Sequence, residues 1–235
     1  MVSNDEDSVN EIIEFFVNRL ESLRNEEKGQ KMSKYMRYKQ EFLGVQTPQR
    51  KEIYKEFKKS IGKSFKHSFN RHDVEKIVTY FWNKNEREYY YVGLFLLDYL
   101  GSLNIEYLEF IQKLIVKGDW WDTTDSITIE FVGNILKENK LKMTDIIKEW
   151  VLDENMWIRR SAILSQLYFK ENMDQELLTY CLNKTMHEKE FFIQKAIGWA
   201  LREYSKINKE FVTKFITANR DNLSKLSIRE GSKYI

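Results

Sequence analysis

Apolar residues recur at three- and four-residue intervals through several segments of the chain, and residues able to cap a helix stand ahead of them. Thr47 followed by Pro48 reads as an N-cap with proline at the first helical position. Asn104, Thr144, Asn155 and Asp174 each precede a comparable amphipathic stretch. The pattern predicts about ten to thirteen helices.

Four apolar stretches look alike: REYYYVGLFLLDYL from Arg87, WDTTDSITIEFVGNIL from Trp121, WIRRSAILSQLYF from Trp157 and FIQKAIGWALREYS from Phe192. Their starts are 34, 36 and 35 residues apart, and a second helix fits between each successive pair. A two-helix unit recurring at that interval cannot bury its apolar stripe alone, so neighbours must stack into a continuous core. The expected fold is therefore all-α: a short α-solenoid of antiparallel helix pairs, one domain over residues 1–235, curved into a superhelix with a concave basic groove.

Composition supports that class. With 42% hydrophobic and 14% aromatic residues in 235, the chain can bury a core, and one proline and nine glycines are too few to punctuate many short strands. The lone Cys181 forms no internal disulfide, the first residues are acidic, and the longest apolar run, Tyr89 to Leu97, is too short to span a bilayer. A cytoplasmic protein with no membrane segment is expected.

The net charge of +2 hides an uneven distribution. Between Arg50 and Arg71 eight Lys or Arg face only Glu52 and Glu56, while residues 206–233 carry +4 and the N-terminus is acidic. Solvated helix faces or a surface for a phosphate backbone both account for such runs. Gly62-Lys63-Ser64 ends like a phosphate-binding loop, but Phe57 stands where that loop needs glycine. His67, His72 and His187 have no ligand spacing, so no metal is expected. Any chemistry falls to carboxylates, aromatics and cations.

Trp121 and Asp125 are four apart and share one helix face, an aromatic platform beside a carboxylate. On spacing alone the plainer account is stronger, with Asp125 as the third residue of a helix capped by Asp122 and Trp121 packed in the core. Lys195, Trp199 and Arg202 form a second stripe, with Gly198 admitting either a neighbouring helix or a ligand. Arg159 and Arg160 could pair with Glu154 or reach phosphates.

The blocks FLGVQTPQR (42–50), WWDTTDSI (120–127), WIRRSAILSQL (157–167) and EFFIQKAIGWALREYSK (190–206) strongly resemble the AlkD-like DNA alkylation repair glycosylases, built from HEAT-like helical repeats. The likeness runs from about Met32 to near the C-terminus. It implies that Trp121, Asp125, Arg160 and Trp199 form an active-site face, and that Tyr35 and Arg202 lie near the DNA backbone. Arg160 is grouped with the backbone contacts as well. The free amides of the helix opened by Thr47, with Arg50 one turn on, suit another phosphate. The implied activity is hydrolytic release of cationic N-alkylated purines, such as 3-methyladenine and 7-methylguanine, from double-stranded DNA by a monomer without cofactor or metal. A non-catalytic HEAT-like DNA-binding module and a protein scaffold are the alternatives.

Overall fold

Where apolar residues fall three and four apart the chain is helical, and no strand occurs among the described residues. The structure, a computed structural model, describes residues 3–60, 62–65 and 68–235. Lys66 of the basic segment and His67 lie outside the described residues. The chain divides into two compact units, Met1–Leu103 and Asn104–Ile235.

The first unit holds α1 (Ser3–Glu21), α2 (Glu26–Tyr35), α3 (Thr47–Lys59), α4 (Gly62–Phe65), α5 (Arg71–Trp82) and α6 (Arg87–Leu100). The acidic N-terminal segment is an amphipathic helix: Val9, Ile12, Phe16 and Leu20 are buried along one stripe, while Glu11 and Glu14 face water. That stripe seats α1 on α3 and α5. Phe16 lies at the centre, its ring 4.8 Å from Phe57 and 5.9 Å from Phe95.

Thr47 is not the N-cap of α3. Gln46 takes that position, because its backbone N–H finds the Gln49 side-chain oxygen at 3.0 Å, and Pro48 follows as the second helical residue. Just upstream, the fully buried Glu88 carboxylate accepts the backbone N–H groups of Leu43, Gly44 and Val45 at 2.9, 2.9 and 3.0 Å. Burial pushes the Glu88 pKa up and those amides oppose the shift. Gly44 adopts φ +89°, and a Cβ there would stand 2.1 Å from the Asn25 carbonyl oxygen, so only glycine lets this loop lie against α2.

The second unit opens with a 3₁₀ turn, Ile105–Tyr107, and continues through α7 (Leu108–Gly118), α8 (Trp121–Ile127), a π-helical turn (Thr128–Val132) and α9 (Gly133–Glu138). Then come α10 (Lys140–Trp150), α11 (Met156–Leu164), α12 (Gln175–Thr185), α13 (Phe191–Ser205), α14 (Lys209–Ala218) and α15 (Lys225–Gly231). Of these fifteen α-helical segments, α4 is a single four-residue turn and α8 and α9 form one rod through the π turn, features that apolar spacing does not resolve.

Each of α7, α10 and α12 packs against the helix that follows it, and α8, α11, α13 and α15 pack one against the next. The recurring helix pair is thus realised, with the second helices in sequence order. Asn104, Asn155 and Asp174 accept first-turn amides as caps. Thr144 does not: it lies inside α10, where its hydroxyl donates back to the Lys140 carbonyl at 2.8 Å, and Asn139 precedes the helix. Cys181 is buried in this unit, and burial pushes its thiol up to about 12. Among the described residues no helix is long and apolar enough to cross a membrane.

Candidate active site

The site begins where α7 ends. Asp119 leaves that helix in the left-handed conformation, φ 39°, and Trp120 crosses extended to cap α8, so the helix starts at Trp121. Asp122 is therefore the second helical residue, not the N-cap, and Asp125 is the fifth. The Asp125 carboxylate sits beyond the free amides of the first turn, and its charge must be held by something else.

That partner is Arg160 on α11. Its Nε donates to Oδ1 of Asp125 at 2.7 Å and its Nη2 to Oδ2 at 2.8 Å, a planar two-point fork. Nη1 donates to the backbone carbonyl of Phe192 on α13 at 2.5 Å. One guanidinium thus joins three successive second helices. The Arg160 side chain is 5% exposed and that of Asp125 13%. Burial raises the Asp125 pKa above the usual aspartate value, and the Arg160 hydrogen bonds and charge work against the rise. The fork, with a donor for each oxygen, is the geometry of the ionised carboxylate.

One turn further on, the Thr128 hydroxyl donates to the Thr124 carbonyl at 2.7 Å and lies 2.6 Å from the Ser161 hydroxyl of α11. These contacts fall at the start of the π turn, where an extra residue per turn widens α8 as it meets α11. Aromatic rings close the other side. Trp120, Trp157 and Phe192 form a triangle with centroids 5.0 to 6.0 Å apart, and the Trp157 indole N–H donates to Asp119 Oδ1 at 2.7 Å. Sequence reasoning passed over Asp119, Trp120, Trp157 and Phe192. The tandem tryptophans and the tryptophan opening the WIRR block were the available signal.

Trp121 is half-buried one turn before Asp125. Trp199 is half-buried on α13, two turns beyond Phe192 and hence on the same face, about 10 Å along the helix. Arg202 is tied to Glu230 of α15 at 3.0 Å. Gly198 faces that helix too: a Cβ on it would stand 2.6 Å from Glu230 Cβ, so the close neighbour is α15. Arg159 pairs with Glu188 at 2.8 Å and with the carbonyls of Asp153 and Glu154, not with the Glu154 carboxylate.

Tyr35, Thr47 and Arg50 belong to the first unit. Tyr35 ends α2 and is 76% exposed. Arg50 is buried: it donates to the Val45 carbonyl at 2.6 Å and to the Thr47 hydroxyl at 3.0 Å, and its guanidinium lies 4.5 Å from the Tyr91 ring centroid. Of the basic segment, Lys51, Lys55, Lys58 and Lys59 are exposed on α3. Among the described residues no group of three or more His, Cys, Asp or Glu stands close enough to hold a metal ion.

The chain matches the model of a family described as DNA alkylation repair enzyme over residues 16–235. Among solved structures it is similar to a chain described as "Predicted DNA alkylation repair enzyme from Enterococcus faecalis", at 34% identity and a TM-score of 0.79, over 90% of this chain and 96% of that one. AlkD2 from Streptococcus mutans is 21% identical with a TM-score of 0.58, over 79% of this chain and 98% of that one, a likeness of fold. The smu.31 protein of Streptococcus mutans UA159 is 22% identical with a TM-score of 0.58, over 78% and 96%. No curated protein matches the chain.

Proposed function

The chain belongs to the DNA alkylation repair enzyme family, and from that membership we propose a DNA glycosylase that hydrolyses the N-glycosidic bond of cationic alkylated purines in double-stranded DNA. Its substrates would be 3-methyladenine and 7-methylguanine, and it would act as a monomer in the cytoplasm. Alkylation has already made the base a good leaving group. The glycosidic electron pair goes to the ring nitrogen, the base departs neutral, water oxygen bonds to C1′, and the water proton passes to solvent.

The protein's tasks are then electrostatic. Asp125 stabilises the sugar as it becomes oxocarbenium-like and orients the attacking water. Trp121 and Trp199 hold the cationic base or sugar through their ring faces, worth about 0.5–2 kcal/mol and selective against neutral purines. Arg202 and Tyr35 meet backbone phosphates, whereas Arg50, buried and bonded to the Val45 carbonyl and the Thr47 hydroxyl, holds the start of α3 in place. Arg160 is assigned a positioning role, since three of its donors are engaged by Asp125 and Phe192. The observation that carries the reading is this two-point grip, which fixes a carboxylate in charge and direction with no reorganisation during reaction.

The test is incubation of the protein with duplex DNA carrying 7-methylguanine, following free base by chromatography and abasic sites by alkaline cleavage. Base release above the uncatalysed rate is expected, and its absence overturns the proposal. A second reading is favoured by the enclosure of the same pair: Asp125 and Arg160 as a structural tie between helices in a module that binds DNA without cleaving it. Under that reading the duplex is bound and no base is released.

A further inference from the structure

Glu230 is the most heavily shared carboxylate in the second unit. Its Oε1 lies 3.6 Å from Lys195 Nζ and 3.5 Å from Arg229 Nη2. Its Oε2 lies 3.0 Å from Arg202 Nη1 and 2.8 Å from Lys233 Nζ. Each oxygen therefore serves one cation from α13 and one from α15 or the residues just after it. Lys195 and Arg202 flank Trp199, one turn before it and one turn after.

Gly198, next to Trp199, is what admits the carboxylate: a Cβ there would stand 2.6 Å from Glu230 Cβ and 3.2 Å from the Ser227 carbonyl oxygen. The exposures run in one direction. The Glu230 side chain is 9% exposed, whereas Lys195, Arg202, Arg229 and Lys233 are 40%, 22%, 71% and 48% exposed. The anion lies beneath and the cations face water. One carboxylate cannot neutralise four cations, and Glu203, 3.8 Å from Arg202, is shared with Lys206 at 2.6 Å. Lysine carries three N–H donors and arginine five, so each cation keeps donors for a second anion.

Deepening the glycosylase reading on which it rests, we infer that Lys195, Arg202, Arg229 and Lys233 form a seat for nucleic-acid backbone phosphates, with Glu230 as the positioning residue that aims them beside Trp199. Lys233 and its neighbours hold the Glu230 pKa down at about 2, so the carboxylate is ionised at neutral pH.

The experiment is Glu230→Gln, which keeps the side chain's shape and removes its charge. Two quantities are measured: affinity for an undamaged duplex across a salt series, and single-turnover release of base from a 7-methylguanine duplex. The freed cations should tighten binding several-fold at low salt and steepen the log–log salt dependence by about one unit. Base release should slow by roughly 10-fold as Arg202, which flanks Trp199, loses its fixed placement. A residue that merely supported the fold would lower both with the melting temperature. Glu210→Gln, which removes an equal charge from an exposed pair on α14, should leave base release unchanged. Parallel loss of binding and release, tighter binding with release unchanged, or no effect on either overturns the inference. If the wild-type protein releases no base, the glycosylase reading fails by itself, and the undamaged-duplex arm still decides the phosphate seat.

Discussion

Arg160 closes on Asp125 from across a helix boundary, meeting both carboxylate oxygens at 2.7 and 2.8 Å while its remaining donor group binds the Phe192 carbonyl. Removing one member of so enclosed a pair strands the other as an unpaired charge, at a cost of about 3–5 kcal/mol. Arg160→Ala should lose stability on that scale in urea unfolding. Arg160→Lys keeps the charge but not the planar fork, so it should fold while excision drops by roughly 10²-fold, the penalty for a misplaced reacting group. Excision unchanged in the folded lysine variant would reduce the pair to a structural tie.

Asp125→Asn keeps the side chain's outline, removes the charge proposed to face the sugar and leaves Arg160 one acceptor in place of two, so the variant is assayed at a temperature where it remains folded. Single-turnover release of 7-methylguanine should fall by about 10²-fold, the scale of losing one electrostatic stabiliser, while duplex affinity measured by anisotropy stays near wild type. Release at the wild-type rate would retire the catalytic role.

Acid should switch the reaction off earlier than an ordinary aspartate allows. Burial raises the Asp125 pKa above the usual 3.8, and only the ionised form stabilises a cationic sugar. The rate should therefore fall as pH drops through a midpoint above that value, and the limb should vanish in Asp125→Asn. Stability carries the opposite sign. A raised folded-state pKa contributes stability below the unfolded value that is lost as pH rises through the folded one. Glu230, held at about 2, contributes above the usual 4.5 and loses its contribution as pH falls toward 2. A pH series of single-turnover rates and urea midpoints separates the two residues.

The helices were legible because their apolar spacing is local: Arg87–Leu100 coincides with the stretch read from Arg87, and α13 begins one residue before the stretch read from Phe192. The N-terminal helix was harder to assign a role, since acidic residues surround the Val9, Ile12, Phe16 and Leu20 stripe. Trp121 with Asp125, and Trp199 with its flanking cations, stood out by helical spacing, and block resemblance gave them and Arg160 their implied roles. What links them did not surface, because Asp125 and Arg160 are 35 residues apart and meet only when α8 stacks on α11. The Asp122 cap failed for a local reason. A non-glycine residue, Asp119, takes the left-handed conformation that ends α7 and shifts the next helix start to Trp121. Glu230 lay unseen in an alternating charge run, where nothing in sequence distinguishes a buried carboxylate from a solvated one.

Gly198 puts helix propensity and packing in direct opposition. In an exposed helix, glycine to alanine should stabilise by about 1 kcal/mol. Here the added methyl would stand 2.6 Å from Glu230 Cβ and 3.2 Å from the Ser227 carbonyl oxygen, neither of them the far end of a flexible chain. α15 must move away from α13, an overpacking strain of about 1–3 kcal/mol that exceeds the propensity gain. Gly198→Ala should therefore lower the urea midpoint. Because the displaced helix carries the carboxylate that holds Arg202, the variant should also slow base release more than its loss of stability explains when assayed at a temperature where it remains folded. A rise in stability would mean that α15 gives way freely, and that the contact between Glu230 and α13 is too soft to aim anything.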